Sequence, residues 1–425
     1  MKQNQILDNP TKATIVGKEG KYHLRVNGKP TWIKGAGLQY GSISALANHG
    51  ANSFRTWRTN NSRYSGREIL DRAHQLGLYV TMGIEVGNER HGFDYDNKAA
   101  VNDQLQRIKA EVEELKDHPA IIIWAIGNEL NLDYTNPSVW DAVNDISKFI
   151  HRTDKNHLTT TPIAGINQNL IAEIKKRAPD LDLLSIQLYR EIMHLPELLE
   201  SSGWTGPYLI TEWGATGHWE VDKTEWGAPI EDNSTVKAEW YLKRYQNAIA
   251  PGQGKQCLGS YSFLWGQKQE RTPTWYGMFL ESGEETESID VMHFLWKKAW
   301  PSQRTPQIEK VLLNNKTAHQ NVYLLPGETY AAEVALKYST DDAIQYYWEV
   351  KPESTDLGVG GDTESVPCSI HGLISNTSNN NSILLKAPMN EGGYRLFMYA
   401  RNSHNQAVHA NIPFYVKPSH ASAIR

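Results

Sequence analysis

The sequence predicts an α/β fold, a (β/α)8 TIM barrel followed by a small all-β immunoglobulin-like sandwich, and three observations carry that prediction. First, two apolar runs each end in a carboxylate: Trp124-Ala125-Ile126-Gly127-Asn128-Glu129 and Leu209-Ile210-Thr211-Glu212-Trp213-Gly214. Each reads as a buried parallel strand that delivers one Glu to its C-terminal mouth. Second, Glu129 and Glu212 stand 83 residues apart. That is room for three strand-plus-helix units of about 28 residues, close to the roughly 31 per unit of an eight-fold barrel. Third, the alternation of strands and helices gives way near Pro301 to Pro306 to short alternating runs broken by Gly, Asn, Ser and Pro.

The elements follow in order. Thr14-Ile15-Val16 and Tyr22 to Val26, with the turn Asn27-Gly28-Lys29-Pro30, form a hairpin expected to close the base of the barrel. Trp32 to Gly35 is the first barrel strand and Ser53 to Trp57 the second. A helix over Gly66 to Leu76 is apolar at Ile69, Leu70, Ala73 and Leu76 and is stopped by Gly77. Leu78 to Ile84 makes strand three. Val101, Leu105, Ile108, Val112 and Leu115 place one apolar stripe on the next helix, which His118-Pro119 ends. Strand four is Ala120 to Ile126, and Asn136-Pro137 opens a helix through Val139, Val143, Ile146 and Ile150. Leu158 to Pro162, Leu183 to Leu188, Tyr208 to Thr211 and Leu258 to Trp265 complete eight strands, with helices near 168 to 178, 195 to 202, 234 to 250 and 288 to 299. The longest connection, Trp213 to about Glu231, lies on the side where barrel active-site loops sit, and His218, Trp219, Trp226 and Pro229 make it an ordered wall.

Beyond Pro306 about seven short strands are expected, among them the runs Asn321 to Leu324, Tyr330 to Leu336, Gln345 to Val350, Ser382 to Leu385, Tyr394 to Ala400 and His409 to Val416. Tyr346, Tyr347 and Trp348 must alternate faces on one strand, so at least one is core. Gly358 to Gly361 lacks the strand-to-helix setting of a nucleotide loop, and Asn376 to Asn381 reads as a polar loop tip. The expected domains are a hairpin cap at 1–30, a catalytic barrel at 31–303 and the sandwich at 304–425.

Composition narrows the partner. With 425 residues, 40% hydrophobic and 21% charged, the chain buries a large core. A net charge of −5 and no basic stripe argue against nucleic acid. Fourteen Trp and twenty Tyr against eight Phe favour rings that pair a flat face with a polar handle, as carbohydrate recognition requires. Cys257 and Cys368 fall on opposite sides of the proposed boundary and are expected to be thiols. Met1 to Thr14 has no signal-like apolar region and no 18-residue apolar run occurs. A soluble protein is expected, periplasmic or secreted if a signal peptide was removed and otherwise cytoplasmic. Asp94-Tyr95-Asp96-Asn97 lacks the twelve-residue calcium-loop pattern. Neither metal nor cofactor is expected, and the oligomeric state is left open.

Two carboxylates across a barrel mouth are the equipment of a retaining glycosidase. The Asn128-Glu129 pair and Glu212 in Ile-Thr-Glu-Trp-Gly resemble the clan-A glycoside hydrolases, whose acid/base closes strand four and whose nucleophile closes strand seven. The resemblance implies that Glu129 is the acid/base, Glu212 the nucleophile, and Asn128 the partner of the sugar 2-hydroxyl. It also implies that Arg55 and Tyr189 bond the nucleophile and that Trp265 floors the subsite of the reacting sugar. It spans roughly residues 31 to 300, and Asn27-Gly28-Lys29-Pro30-Thr31-Trp32-Ile33-Lys34-Gly35 is similar to the family 2 barrels. The chain departs from family 2 in placing only a hairpin before the barrel. A barrel followed by an immunoglobulin-like domain resembles bacterial β-glucanases, which implies a β-linked glucan or oligosaccharide as substrate. Further substrate-binding candidates are Trp57, Glu85, His91, His218 and Trp219. Transglycosylation through the same covalent intermediate, and a non-catalytic glycan-binding barrel, are the alternatives.

Overall fold

A computed structural model describes residues 9–338, 343–375 and 380–418. The first eight residues of the expected hairpin segment and 376–379 of the expected polar tip lie outside them. The chain divides into two compact units, Met1–Trp213 with Arg244–Trp265, and Gly214–Lys243 with Gly266–Arg425.

The first unit is the barrel. Its strands are β1 (Ile33–Gly37), β2 (Ser53–Arg55), β3 (Tyr79–Ile84), β4 (Ile121–Ile126), β5 (Leu158–Thr160 and Pro162–Ala164), β6 (Leu184–Gln187), β7 (Tyr208–Glu212) and β8 (Cys257–Ser262). Neighbours pair in parallel all round, and β8 returns to β1. The fifth strand closes the ring in two halves. Leu158–Thr160 pairs with β4, and Pro162–Ala164 pairs with β6. Pro162 has no N–H for a ladder, which explains the break. Every residue of β4 and β7 is buried, as strands covered on both faces require.

Helices Gly66–Gln75, Lys98–Leu115, Ser138–Thr153, Gln168–Arg177 and Leu195–Ser202 alternate with the strands as the periodicity predicts. Ser65 and Glu68 form a capping box at the first of these. A six-residue helix, Ile43–Asn48 behind the Ser42 cap, has too short a stripe to show in the sequence. The expected helix over 234 to 250 is α-helical over Ser234–Arg244 and continues as a π turn over Tyr245–Ile249. Strands Ala13–Lys18, Lys21–Val26 and Lys29–Thr31 make a small antiparallel sheet. Its Ala13, Leu24 and Val26 pack with Ile122, Leu158, Leu183, Leu209 and Leu258, sealing the end of the barrel where the strands begin.

The second unit holds the sandwich. One sheet runs in the order Gln307–Leu313, Thr329–Tyr338, Ser382–Lys386, Ile374–Ser375, and the other Val322–Leu324, Ala407–Val416, Gly392–Arg401, Gln345–Pro352. Val334, Ile383 and Leu385 from the first meet Val350, Met398, Val408 and Phe414 from the second in one core. Trp348 joins that core while Tyr347 is 49% exposed, so the aromatic run does alternate. The loop after β7 is tied down in this unit by Glu231. Its buried carboxylate accepts from Lys237 Nζ at 2.5 Å, Asn411 Nδ2 at 2.6 Å and the hydroxyls of Thr272 and Thr274. Burial alone would raise this carboxyl, but Lys237 beside it holds it at about 2. Cys257 and Cys368 are free thiols, the first buried and the second exposed. Among the described residues no helix is long and apolar enough to cross a membrane.

Candidate active site

The site is assembled at the C-terminal ends of the barrel strands, all within the first unit. Glu212 ends β7 and is 5% exposed. Its Oε1 accepts from Arg55 Nη1 at 3.1 Å, Trp57 Nε1 at 3.0 Å and Gln187 Nε2 at 2.9 Å, and its Oε2 accepts from the Tyr189 hydroxyl at 2.9 Å. Guanidinium, indole and amide N–H groups can only donate, so the oxygen they face must accept. The four donors come from β2 and β6 or the residues just after them.

Asn128 belongs to the same network. Its Oδ1 accepts from Arg55 Nη2 at 2.8 Å and Gln187 Nε2 at 2.9 Å. With the carbonyl end occupied by two donors, the amide is fixed with its NH2 as the end that can donate to a ligand. Arg55 has no exposed surface. Burial pulls its pKa down while Glu212 and Glu129 pull it up, and an arginine in such company stays charged.

A backbone irregularity aligns these groups. Ile186 pairs with Ile210, but Gln187 pairs with Glu212, leaving Thr211 as the extra residue of a bulge. A bulge of this kind re-aims a strand's last side chains. Here it sets Gln187 opposite Glu212.

Glu129 lies beyond β4 and is 8% exposed. Gly127 at φ +73° and Glu129 at φ +49° both take left-handed backbone. A Cβ on Gly127 would fall 2.5 Å from Leu130 Cδ1, so only glycine fits there. The Glu129 N–H donates to the carbonyl of Pro162 at 2.9 Å, which uses the interrupted fifth strand to hold the turn. A left-handed Glu costs about 1–2 kcal/mol, and strain of this kind gathers at functional sites.

Trp57 is braced from both sides. Arg55 lies over its ring at 4.8 Å, and Phe263 meets it edge-on at 5.8 Å. Phe263 also meets Tyr189 edge-on at 6.1 Å. A Cβ on Gly37 would come within 2.7 Å of Trp57 Cη2, so the end of β1 must be bare to admit the indole.

The structure therefore gathers Arg55, Trp57, Asn128, Tyr189 and Glu212 in one hydrogen-bonded set, with Glu129 next to Asn128 in the chain. Trp265 needs a correction. It is 0% exposed and its indole N–H donates to the Ser42 carbonyl at 3.0 Å, so it offers no face to a sugar. Phe263, two residues earlier, occupies the place beside Trp57 and Tyr189. Glu85 is exposed and paired with Arg58 at 3.2 Å, and His91 is exposed on the short turn Glu89–His91. His218 and Trp219 belong to the second unit. Sequence reading missed Gln187 and Phe263. An amide two residues before Tyr189, at a strand end, was the available signal for the first; nothing local marked the second. Among the described residues no three His, Cys, Asp or Glu side chains gather to hold a metal ion.

Residues 40–219 match the family described as glycosyl hydrolases family 2, TIM barrel domain. The matched stretch runs from before β2 to just past β7, and the barrel is similar to that family's over those residues. Solved structures similar to the chain include a Bacteroides uniformis β-glucuronidase at 14% identity and TM-score 0.51, covering 96% of this chain and 48% of that one. A Bifidobacterium dentium β-glucuronidase complexed with coumarin-3-O-glucuronide is similar at 17% identity and TM-score 0.52, over 68% of this chain and 50% of that one. At these identities the likeness is one of fold. The chain spans about half the length of those proteins. No curated protein matches it.

Proposed function

We propose that the chain is a retaining β-glycosidase acting on a β-linked glucan or oligosaccharide, with residues 31–303 as its catalytic domain and 304–425 as an accompanying sandwich. The observation that carries this reading is the convergence of Arg55, Trp57, Gln187 and Tyr189 on Glu212. Donors set around a carboxylate hold it in one orientation, which an attacking group needs. Oε1 already serves three donors and Oε2 one, so Oε2 has the lone pair free for attack.

In the first step Glu212 Oε2 bonds to the anomeric carbon. The glycosidic C–O bond breaks, and the departing oxygen takes the proton of Glu129. In the second step Glu129 removes a proton from water, the water oxygen bonds to the anomeric carbon, and Glu212 is released. In this reading the Asn128 amide hydrogen-bonds the 2-hydroxyl, a contact that strengthens as the ring flattens. The β-glucuronidases named above support a β-glycoside as substrate. The glucan assignment rests on the sequence resemblance.

The test is mass spectrometry after treatment with a 2-fluoro glycoside inactivator, alongside turnover of aryl β-glycosides. The wild type should gain one covalent sugar on Glu212, and Glu212→Ala should neither label nor turn over. Activity retained in Glu212→Ala would refute the assignment.

A further inference from the structure

In the first unit the loop after β1 carries an aromatic ring into solvent and holds it still. Tyr40 is 45% exposed. Large apolar side chains left bare singly need no explanation, but this one is pinned. Its hydroxyl shares a hydrogen bond with that of Ser62 at 3.0 Å and accepts from Gln39 Nε2 at 3.4 Å. The Arg63 guanidinium covers one face of the ring, 4.8 Å from its centre, which leaves the opposite face for a ligand. The backbone beneath is fixed as well. The Leu38 N–H donates to the Arg55 carbonyl at 3.0 Å, and Asn61 Nδ2 donates to the Gln39 carbonyl at 3.0 Å. Asn61 also fixes the loop that carries Arg63, its Oδ1 accepting the N–H groups of Arg63 and Tyr64 at 2.9 Å each. On the other side of Tyr40, a Cβ on Gly41 would fall 2.0 Å from the Trp265 carbonyl oxygen, and the Trp265 indole holds the Ser42 carbonyl at 3.0 Å. The buried Trp265 thus serves as the footing of this loop. All these residues lie within the first unit. Few rotamers remain to be lost when a ligand docks on such a platform.

We propose that Tyr40 is a stacking platform for the pyranose next to the reacting one in a β-linked glucan chain. The inference rests on the retaining-glycosidase reading and extends it from one sugar ring to several. The ring's chemistry selects the occupant, because a flat aromatic face matches the C–H face of a sugar. The barrel selects the location. Tyr40 follows Gly37, the end of β1, by three residues, a length of chain that reaches at most about 11 Å, on the face where barrel active sites lie. Gly37 is the bare position that admits the Trp57 indole, and Trp57 Nε1 donates to Glu212 at 3.0 Å.

The experiment compares kcat/KM for β-1,3- and β-1,4-linked glucose tetrasaccharides with that for β-glucosyl fluoride, whose leaving group brings no ring to stack. Wild type, Tyr40→Ala, Tyr40→Phe and Ser62→Ala are measured together. The ratio of tetrasaccharide to fluoride should fall about tenfold in Tyr40→Ala, the scale of one lost aromatic contact. Tyr40→Phe and Ser62→Ala keep the ring but release it, and each should lower the ratio by a smaller factor. An equal loss on both substrates, no loss on either, or a wild type that cleaves the fluoride and no tetrasaccharide overturns the platform. If the wild type cleaves none of these substrates, the glucan-cleaving reading has failed. Titration calorimetry with the tetrasaccharides then decides the platform alone, and equal binding, or none, by wild type and Tyr40→Ala overturns it.

Discussion

Arg55 and Glu212 are joined at 3.1 Å, with side chains 0% and 6% exposed. Removing one member of a buried pair leaves the other uncompensated, at about 3–5 kcal/mol. Arg55→Met should therefore lower the melting temperature as well as activity. Arg55→Lys keeps the charge but loses the fork that reaches Glu212 and Asn128 together. Its kcat should fall by about 10²–10³, the loss typical of one oriented electrostatic partner, and steady-state kinetics with thermal melts separate the two effects. A Lys variant with wild-type kcat would remove Arg55 from the machinery.

Gln187 should behave as a positioning residue. Its amide nitrogen is 2.9 Å from both Asn128 Oδ1 and Glu212 Oε1. Gln187→Ala frees both groups, and a hydrogen bond to a charged partner is worth about 1.5–3 kcal/mol, so kcat should drop roughly ten- to a hundredfold with little change in KM. Gln187→Glu sets a second carboxylate against Glu212 and should displace the acid limb of the pH–rate profile upward. An unmoved profile would count against the contact.

The two aromatic residues after β8 should separate cleanly. Phe263→Ala removes the edge against which Trp57 and Tyr189 rest and should lower kcat/KM about tenfold. Trp265→Phe loses the bond to Ser42, a stability term of about 1 kcal/mol, and should appear in the melting temperature first. The reverse pattern would restore Trp265 to the subsite floor.

Two buried groups of the second unit give stability opposite pH dependences. Burial, with Lys237 nearby, lowers His409 from 6.5 to about 3. Between those values the unfolded chain binds a proton that the native protein does not, so this contribution is complete above pH 6.5 and is lost as pH falls toward 3. Burial raises Glu287 from 4.5 to about 7. There the native protein holds the extra proton, and the contribution is complete below pH 4.5 and lost as pH rises through 7. His409→Gln should flatten the acid side of a melting-temperature profile from pH 4 to 8, and Glu287→Gln the neutral side, each by roughly 2–3 kcal/mol.

What the sequence reveals here depends on how local the signal is. Apolar runs such as 121–126 and 208–211 declare buried strands because both faces are covered, and the carboxylates that end them are legible for the same reason. Arg55 and Tyr189 are legible through their places at strand ends. Gln187 acts through the bulge at Thr211, a pairing between two strands that neither strand records. Trp265 misleads because Phe263 and Trp265 both close the same strand, and only packing against Ser42 and His49 tells which one turns inward. The six-residue helix Ile43–Asn48 is too brief for its period to register.

The left-handed backbone at Glu129 sets folding against turnover at a single position. Glycine or asparagine would occupy φ +49° more comfortably than glutamate, so Glu129→Gly should survive heat at least as well as the native protein while losing the proposed proton donor. A screen that rewards thermostability alone would drift toward erasing this residue. Its persistence under laboratory selection would therefore register demand for the reaction.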